Sequence, residues 1–140
     1  MTDFDPDRIR QLAGEIRNAL RKLTAAAEFG EIDFLASPAT IDAAKYNLIV
    51  AIEGAIDICH HITARSGGRS PRDYGDCFVI LGEIGAIPPE LVERLRRMAK
   101  FRNLLVHLYW KTDDAKVYRL IREDLGDIRA FLELVERPVD

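Results

Sequence analysis

The sequence predicts an all-α fold, an antiparallel, up-and-down bundle of four to five main helices. Three observations carry that expectation. Apolar residues recur at three- and four-residue intervals through most of the chain. Prolines stand where helices would begin rather than inside them. Nothing alternates with period two over a useful length, so no strand is expected. The 140 residues make one domain, residues 1–140, long enough to bury roughly 70% of the surface its unfolded chain exposes.

The first helix is announced by Asp5-Pro6-Asp7, a capping acid, a first-turn proline and an acid that suits the helix dipole. Ile9, Leu12, Ile16, Leu20 and Leu23 line one face of it, and it runs to about Ala27. Gly30 breaks the pattern, and Ile32 to Leu35 reads as a short helical turn before Ser37-Pro38. From Ala39 to Ala64, Ile41, Ala44, Leu48, Ile52, Ile56, Cys59 and Ile62 make a long helix that is apolar over much of its circumference, which belongs at the centre of a bundle. Ser66 to Arg72 is the most loop-like segment, basic with Arg65 before it: either a solvated connector or a mobile basic flap over a phosphate site. Asp73 to Ile84 forms a shorter helix with Phe78, Leu81 and Ile84 inward, ended by Gly85. Pro88-Pro89 opens the next helix, whose inward positions are Leu91, Leu95, Met98, Phe101, Leu105 and Leu108. Thr112-Asp113-Asp114 caps one last helix that carries Val117, Leu120, Ile121, Leu125, Ile128, Phe131, Leu132 and Val135.

Composition narrows the function. With 48% hydrophobic and 31% charged residues and six prolines, the chain reads as soluble and globular. Its net charge of −3 supplies no overall basic field for nucleic acid, so any RNA contact relies on local charge such as Arg94, Arg96, Arg97 and Lys100. Cys59 and Cys77 lack metal-site spacing and disulfide density and are expected as buried thiols. The acidic Met1 to Pro6 lacks an apolar signal region, and no stretch approaches the ~18 apolar residues of a membrane span. A cytoplasmic location without membrane contact is the expectation.

The chemistry concentrates in Arg102 to Tyr109, which sets an arginine, an amide, an imidazole and a phenol into an apolar run, where unpaired polar groups are costly to bury. On a continuous helix Met98, Phe101, Leu104 and Leu108 share the arc facing the core. Arg102 and His107 lie roughly 140° apart, too far for a one-helix site, and a second copy of the helix across a two-fold axis would complete it. Tyr109 falls within about 20° of Arg102 on the same helix, and Asn103 stands four residues before His107, placed to orient it. Without carboxylate clusters, HxxxH or CxxC, the set suits metal-independent phosphodiester chemistry better than a metal hydrolase. Histidine serves as general base on a ribose 2′-hydroxyl or as acid to the leaving 5′-oxygen, and arginine offers a fork to the non-bridging phosphate oxygens. The plainer alternatives are a structural histidine, an Arg102 paired with Asp57 or Glu53, and a Tyr109 that merely packs. The adjacent His60 and His61 diverge by about 100°, so one is expected towards the core and the other towards solvent.

The string RNLLVHLY, Arg102 to Tyr109, resembles the Arg-x4-His-x-Tyr motif of HepT-like toxins in the HEPN superfamily. The likeness extends through AAKYNLIVAIEGAIDICHHI, SPRDYGDCFVILGEIGAIP and VYRLIREDLGDIRAFLELV, and is less distinctive in the first helix. It implies a homodimeric HEPN-like bundle whose motif helices line a shared cleft. It also implies a ribonuclease toxin acting on RNA and neutralised by a small MntA-type nucleotidyltransferase antitoxin that transfers AMP to the motif tyrosine. Carried over, Arg102 and His107 are catalytic, Asn103 supports them and Tyr109 is the AMP acceptor, with neither metal nor cofactor. The alternative is a non-catalytic helical module that dimerises and binds a nucleotidyltransferase or a nucleotide.

Overall fold

The computed structural model describes residues 5–66 and 68–137; the readings that involve Met1 to Phe4 and Gly67 lie outside them. Every regular element among the described residues is helical: α1 (Pro6–Ala27), α2 (Glu31–Leu35), α3 (Pro38–Ala64), α4 (Tyr74–Glu83), α5 (Pro89–His107), a 3-10 turn (Tyr109–Lys111), α6 (Asp114–Glu123) and α7 (Leu125–Val135). The starts follow the local chemistry. Asp5 accepts from the N–H groups of Asp7 and Arg8, Ser37 caps α3 through Thr40, and Asp73 caps α4 through Asp76. Pro6, Pro38 and Pro89 each occupy a first-turn position, where a missing N–H loses no helical bond.

α3 is the central helix. It packs most extensively on α1 and also meets α4, α5, α6 and α7, as its broad apolar surface predicts. Gly54 marks its close approach to α1: a Cβ there would stand 2.5 Å from Ile16 Cγ1. One apolar cluster draws on all seven α-helices, with Phe34, Phe78, Phe131, Leu48 and Leu105 among its fully buried members. Burying each such side chain is worth about 1.5–3 kcal/mol, which makes this cluster the main source of stability. Cys59 and Cys77 lie inside it as free thiols. Burial pushes the Cys59 thiol well above its ordinary range, so it stays protonated.

Three expectations change. The last helix is two, α6 and α7, because Asp124 leaves helical geometry at φ −112° and ψ 0°; counted with the short α2, the described residues hold seven α-helices. The apolar spacing runs unbroken across that corner, so nothing in the periodicity marks it. Both pieces are tied to the rest, α6 by Tyr118 Oη donating to Phe29 O (2.8 Å) and Arg122 to Ala27 O (3.0 Å), α7 by Arg94 to Asp127 (2.8 Å). Ile84, expected inward, is exposed, since it follows the end of α4 where Gly85 turns the chain at φ 79°. His60 and His61 are both half-buried, not one in and one out. The His60 ring packs against Tyr74, and His61 Nε2 accepts the Asp5 N–H at 3.0 Å. Among the described residues no helix is long and apolar enough to cross a membrane.

Candidate functional site

α5 carries the motif with its inner face on the bundle. Met98, Phe101 and Leu105 are buried, whereas Leu104 and Leu108 are 40% and 41% exposed. From Phe101, Leu105 lies about 40° to one side and Leu104 about 60° to the other, and the core takes the Leu105 side. Leu104 and Val106, on opposite flanks of α5, and Leu108 at its end are exposed to solvent, with Trp110 just beyond them at 77% exposure.

Arg102 is held in place. Its Nε donates to Glu53 Oε1 on α3 at 3.0 Å, Nη2 donates to the same oxygen, and Nη1 donates to Asn103 Oδ1 at 3.0 Å. The guanidinium carbon stands 5.1 Å from the Tyr74 ring centroid, over the π face. Of the five N–H donors of an arginine, these contacts engage three, which leaves one on each Nη for a phosphate oxygen. Of the two acids expected as partners, Glu53 takes the role and Asp57 does not. Asn103, expected to orient His107, fixes Arg102 instead.

His107 is the last residue of α5 and is exposed, and among the described residues its imidazole has no hydrogen-bond partner. No contact joins it to Arg102, in keeping with their separation around the helix. Tyr109 departs from expectation. Leu108 leaves helical geometry at φ −129° and ψ 42°, so Tyr109 sits in the 3-10 turn rather than on Arg102's stripe. Its hydroxyl donates to Asp42 O on α3 at 3.1 Å. Burial, then the nearby Asp42 and Asp114, push its phenol above the ordinary range.

Residues 16–135 match the Ribonuclease HepT-like family, a span that holds the whole motif and α2 to α7. The chain belongs to that family. A relative from Archaeoglobus fulgidus with a provisional RNase designation is 34% identical over 100 residues, 71% of this chain and 75% of its own. The mRNA nuclease HepT of Shewanella oneidensis is 27% identical over 95 residues, 68% of this chain and 71% of its own. Among solved structures, a tri-AMPylated HEPN toxin of S. oneidensis in complex with an MNT antitoxin superposes with a TM-score of 0.86 at 24% identity, covering 93% of this chain and 97% of that one. A toxin–antitoxin crystal structure with AMP-PNP gives 0.87 at 23%, covering 93% and 98%. At such identities the superpositions speak for the fold, which is the all-helical HEPN-like one.

Within this HepT-like fold, two residues outside the motif string, Tyr74 and Lys45, stand against it. Tyr74 carries no local signal, because its role depends on α4 meeting α5. Lys45 did carry one: it stands at the spacing of Ile41, Leu48 and Ile52, where a lysine on a buried stripe needs a partner. The basic connector also resolves. Arg69 is fastened to Asp76 (2.6 Å) and Glu83 (3.1 Å), so this arginine is a tether for the start of α4 and not a free flap. The Arg69 guanidinium, with the Arg72 N–H, lowers the Asp76 carboxyl to about 2 from an ordinary 3.8. A depressed folded-state pKa stabilises above the unfolded value, and the contribution disappears as pH falls from 3.8 to about 2. Asp76→Asn is therefore expected to be less stable than wild type at neutral pH by on the order of 1 kcal/mol, after discounting for solvent screening. Urea denaturation should show the difference vanish in strong acid; one that persists there contradicts the assignment.

Proposed function

We propose that this chain is the toxin of a toxin–antitoxin pair, a metal-independent RNA endonuclease that acts at a cleft between two copies of α5. The family supports ribonuclease chemistry. The observation that carries the finer reading is the division of the motif: a fixed arginine fork with two donors to spare, and an unpartnered histidine about 140° around the same helix. Neither suffices alone. The exposed Leu104, Val106, Leu108 and Trp110 leave apolar side chains around the end of α5 for a second copy to cover.

In such a cleft Arg102 binds the non-bridging oxygens of the scissile phosphate and opposes their charge as it builds. A histidine takes the 2′-hydroxyl proton, the 2′-oxygen bonds to phosphorus, and the bond to the 5′-oxygen breaks as that oxygen gains a proton. The products are a 2′,3′-cyclic phosphate and a 5′-hydroxyl. His107 serves as the base, and water supplies the proton to the leaving 5′-oxygen. Neutralisation follows from AMP transferred to Tyr109 by an MntA-type nucleotidyltransferase. Tyr109 lies two residues after His107 and is turned towards α3, so AMP bars approach to His107 rather than displacing phosphate from Arg102.

The test is cleavage of RNA by purified protein in EDTA, with end analysis of the fragments. Cyclic phosphate ends in the chelator are expected. Cleavage that returns only when a divalent metal is added contradicts the mechanism.

A further inference from the structure

Lys45 is 5% exposed, and an ammonium so buried is retained only with partners. It has three, all around Tyr109. Nζ donates to the Tyr109 carbonyl oxygen at 2.9 Å and stands 4.9 Å from the centroid of the Tyr109 ring. It lies 2.9 Å from Asp114 Oδ1, a buried oxygen with no hydrogen-bond partner of its own. The ion pair is thus a contact of charge rather than an aligned hydrogen bond. Thr112 Oγ1 donates to the same carbonyl at 2.9 Å, and the Lys111 N–H closes the turn on Leu108 O at 2.9 Å. These bonds draw the chain out of the α5 helix and into the 3-10 turn, which moves the phenol from Arg102's stripe onto α3.

We propose that Lys45 is a positioning residue for the modification of Tyr109: it holds the turn that presents the phenol and supplies the cation beside which the new phosphodiester sits. This rests on the reading of Tyr109 as the AMP acceptor. In the transfer, the Tyr109 oxygen bonds to the α-phosphorus of ATP, the α–β anhydride bond breaks and pyrophosphate leaves. The phenol proton passes to a base of the transferase or to solvent. The product carries one negative charge where a neutral hydroxyl stood, in a neighbourhood that already holds Asp114. Lys45 is the facing cation among the contacts described, and its ammonium over the ring offsets that added charge.

The test uses full-length wild type, Lys45→Met, Lys45→Arg and Asp114→Asn, each incubated with an MntA-type nucleotidyltransferase and ATP and followed by intact mass, with Tyr109→Phe as the blank. Lys45→Met, close in length and free of the buried charge, should take up AMP more slowly by on the order of 10- to 100-fold, the loss expected when a reacting group is displaced by about an ångström. The loss should fall on kcat, since the nucleotide site lies on the transferase. Lys45→Arg should recover part of the rate, and Asp114→Asn should stay within about threefold of wild type because the ammonium remains. RNA cleavage by Lys45→Met should be unchanged. Uptake by Lys45→Met at the wild-type rate, or loss of cleavage along with uptake, overturns the proposal. Amide exchange at Lys111 is read in parallel without any partner, and it should quicken in Lys45→Met while Leu105 stays protected. If wild type itself takes no AMP, the acceptor reading of Tyr109 fails and the counter-charge role falls with it. Exchange then decides whether Lys45 holds the turn, and an unchanged Lys111 rate overturns that too.

Discussion

Replacing His107 with alanine is expected to lower RNA cleavage by roughly 10²- to 10⁴-fold, the range for a general acid–base group. Stability should change by no more than about 0.5 kcal/mol, as for other surface substitutions. Both halves follow from the same fact: His107 is exposed at the end of α5 and its side chain makes no hydrogen bond among the described residues. Single-turnover cleavage in EDTA, run beside urea denaturation, reads the two quantities. A variant that cuts at the wild-type rate removes His107 from the mechanism, and one that loses several kcal/mol makes it structural. Mixing subunits then tests the cleft. If each site takes Arg102 from one copy and His107 from the other, a mixed dimer of His107→Ala and Arg102→Ala chains contains one intact site and one empty one. Equal mixing gives half mixed dimers, so about a quarter of wild-type activity should return. No recovery, with mixed dimers confirmed, argues for sites built within one copy.

How much of this was legible in the sequence depended on whether the determining contacts were local. Asp5-Pro6, Ser37-Pro38, Asp73 and Pro88-Pro89 state the helix starts in a few adjacent residues, and the structure begins its helices there. The breaks at Leu108 and Asp124 involve neither proline nor glycine. Beside the first, the Tyr109 carbonyl accepts from Lys45, 64 residues earlier in the chain, and the second leaves the apolar period intact. Helical spacing likewise placed Leu104 and Leu105 equally near the core, and only the position of the neighbouring helices separates them. The motif residues were visible as a string, but the partners of each were not. Glu53 was legible as one of two acids facing Arg102, whereas Asn103 turned to the arginine beside it rather than to the histidine one turn on.

Arg102→Ala is expected to reduce cleavage by about 10²- to 10³-fold, as for removal of a transition-state donor. Arg102→Lys should recover little of that loss, because a single ammonium cannot both hold Glu53 and present two donors to a phosphate. Glu53 gives the more telling variant. Its carboxylate engages Nε and Nη2 and so aims the fork, yet it also offsets the charge that attracts phosphate. Glu53→Gln keeps the shape and removes that charge. The freed guanidinium binds RNA more tightly but is less well directed, so kcat and KM should fall together, kcat by on the order of tenfold. The Arg102 side chain is only 15% exposed, so loss of its anion also costs stability, on the order of 1–3 kcal/mol for a partly buried charge left with weaker partners. Steady-state cleavage over a range of RNA concentrations separates the possibilities. A rise in KM would mean that Glu53 builds the phosphate site rather than competing with it, and unchanged kinetics would place the Arg102–Glu53 pair outside the reaction altogether.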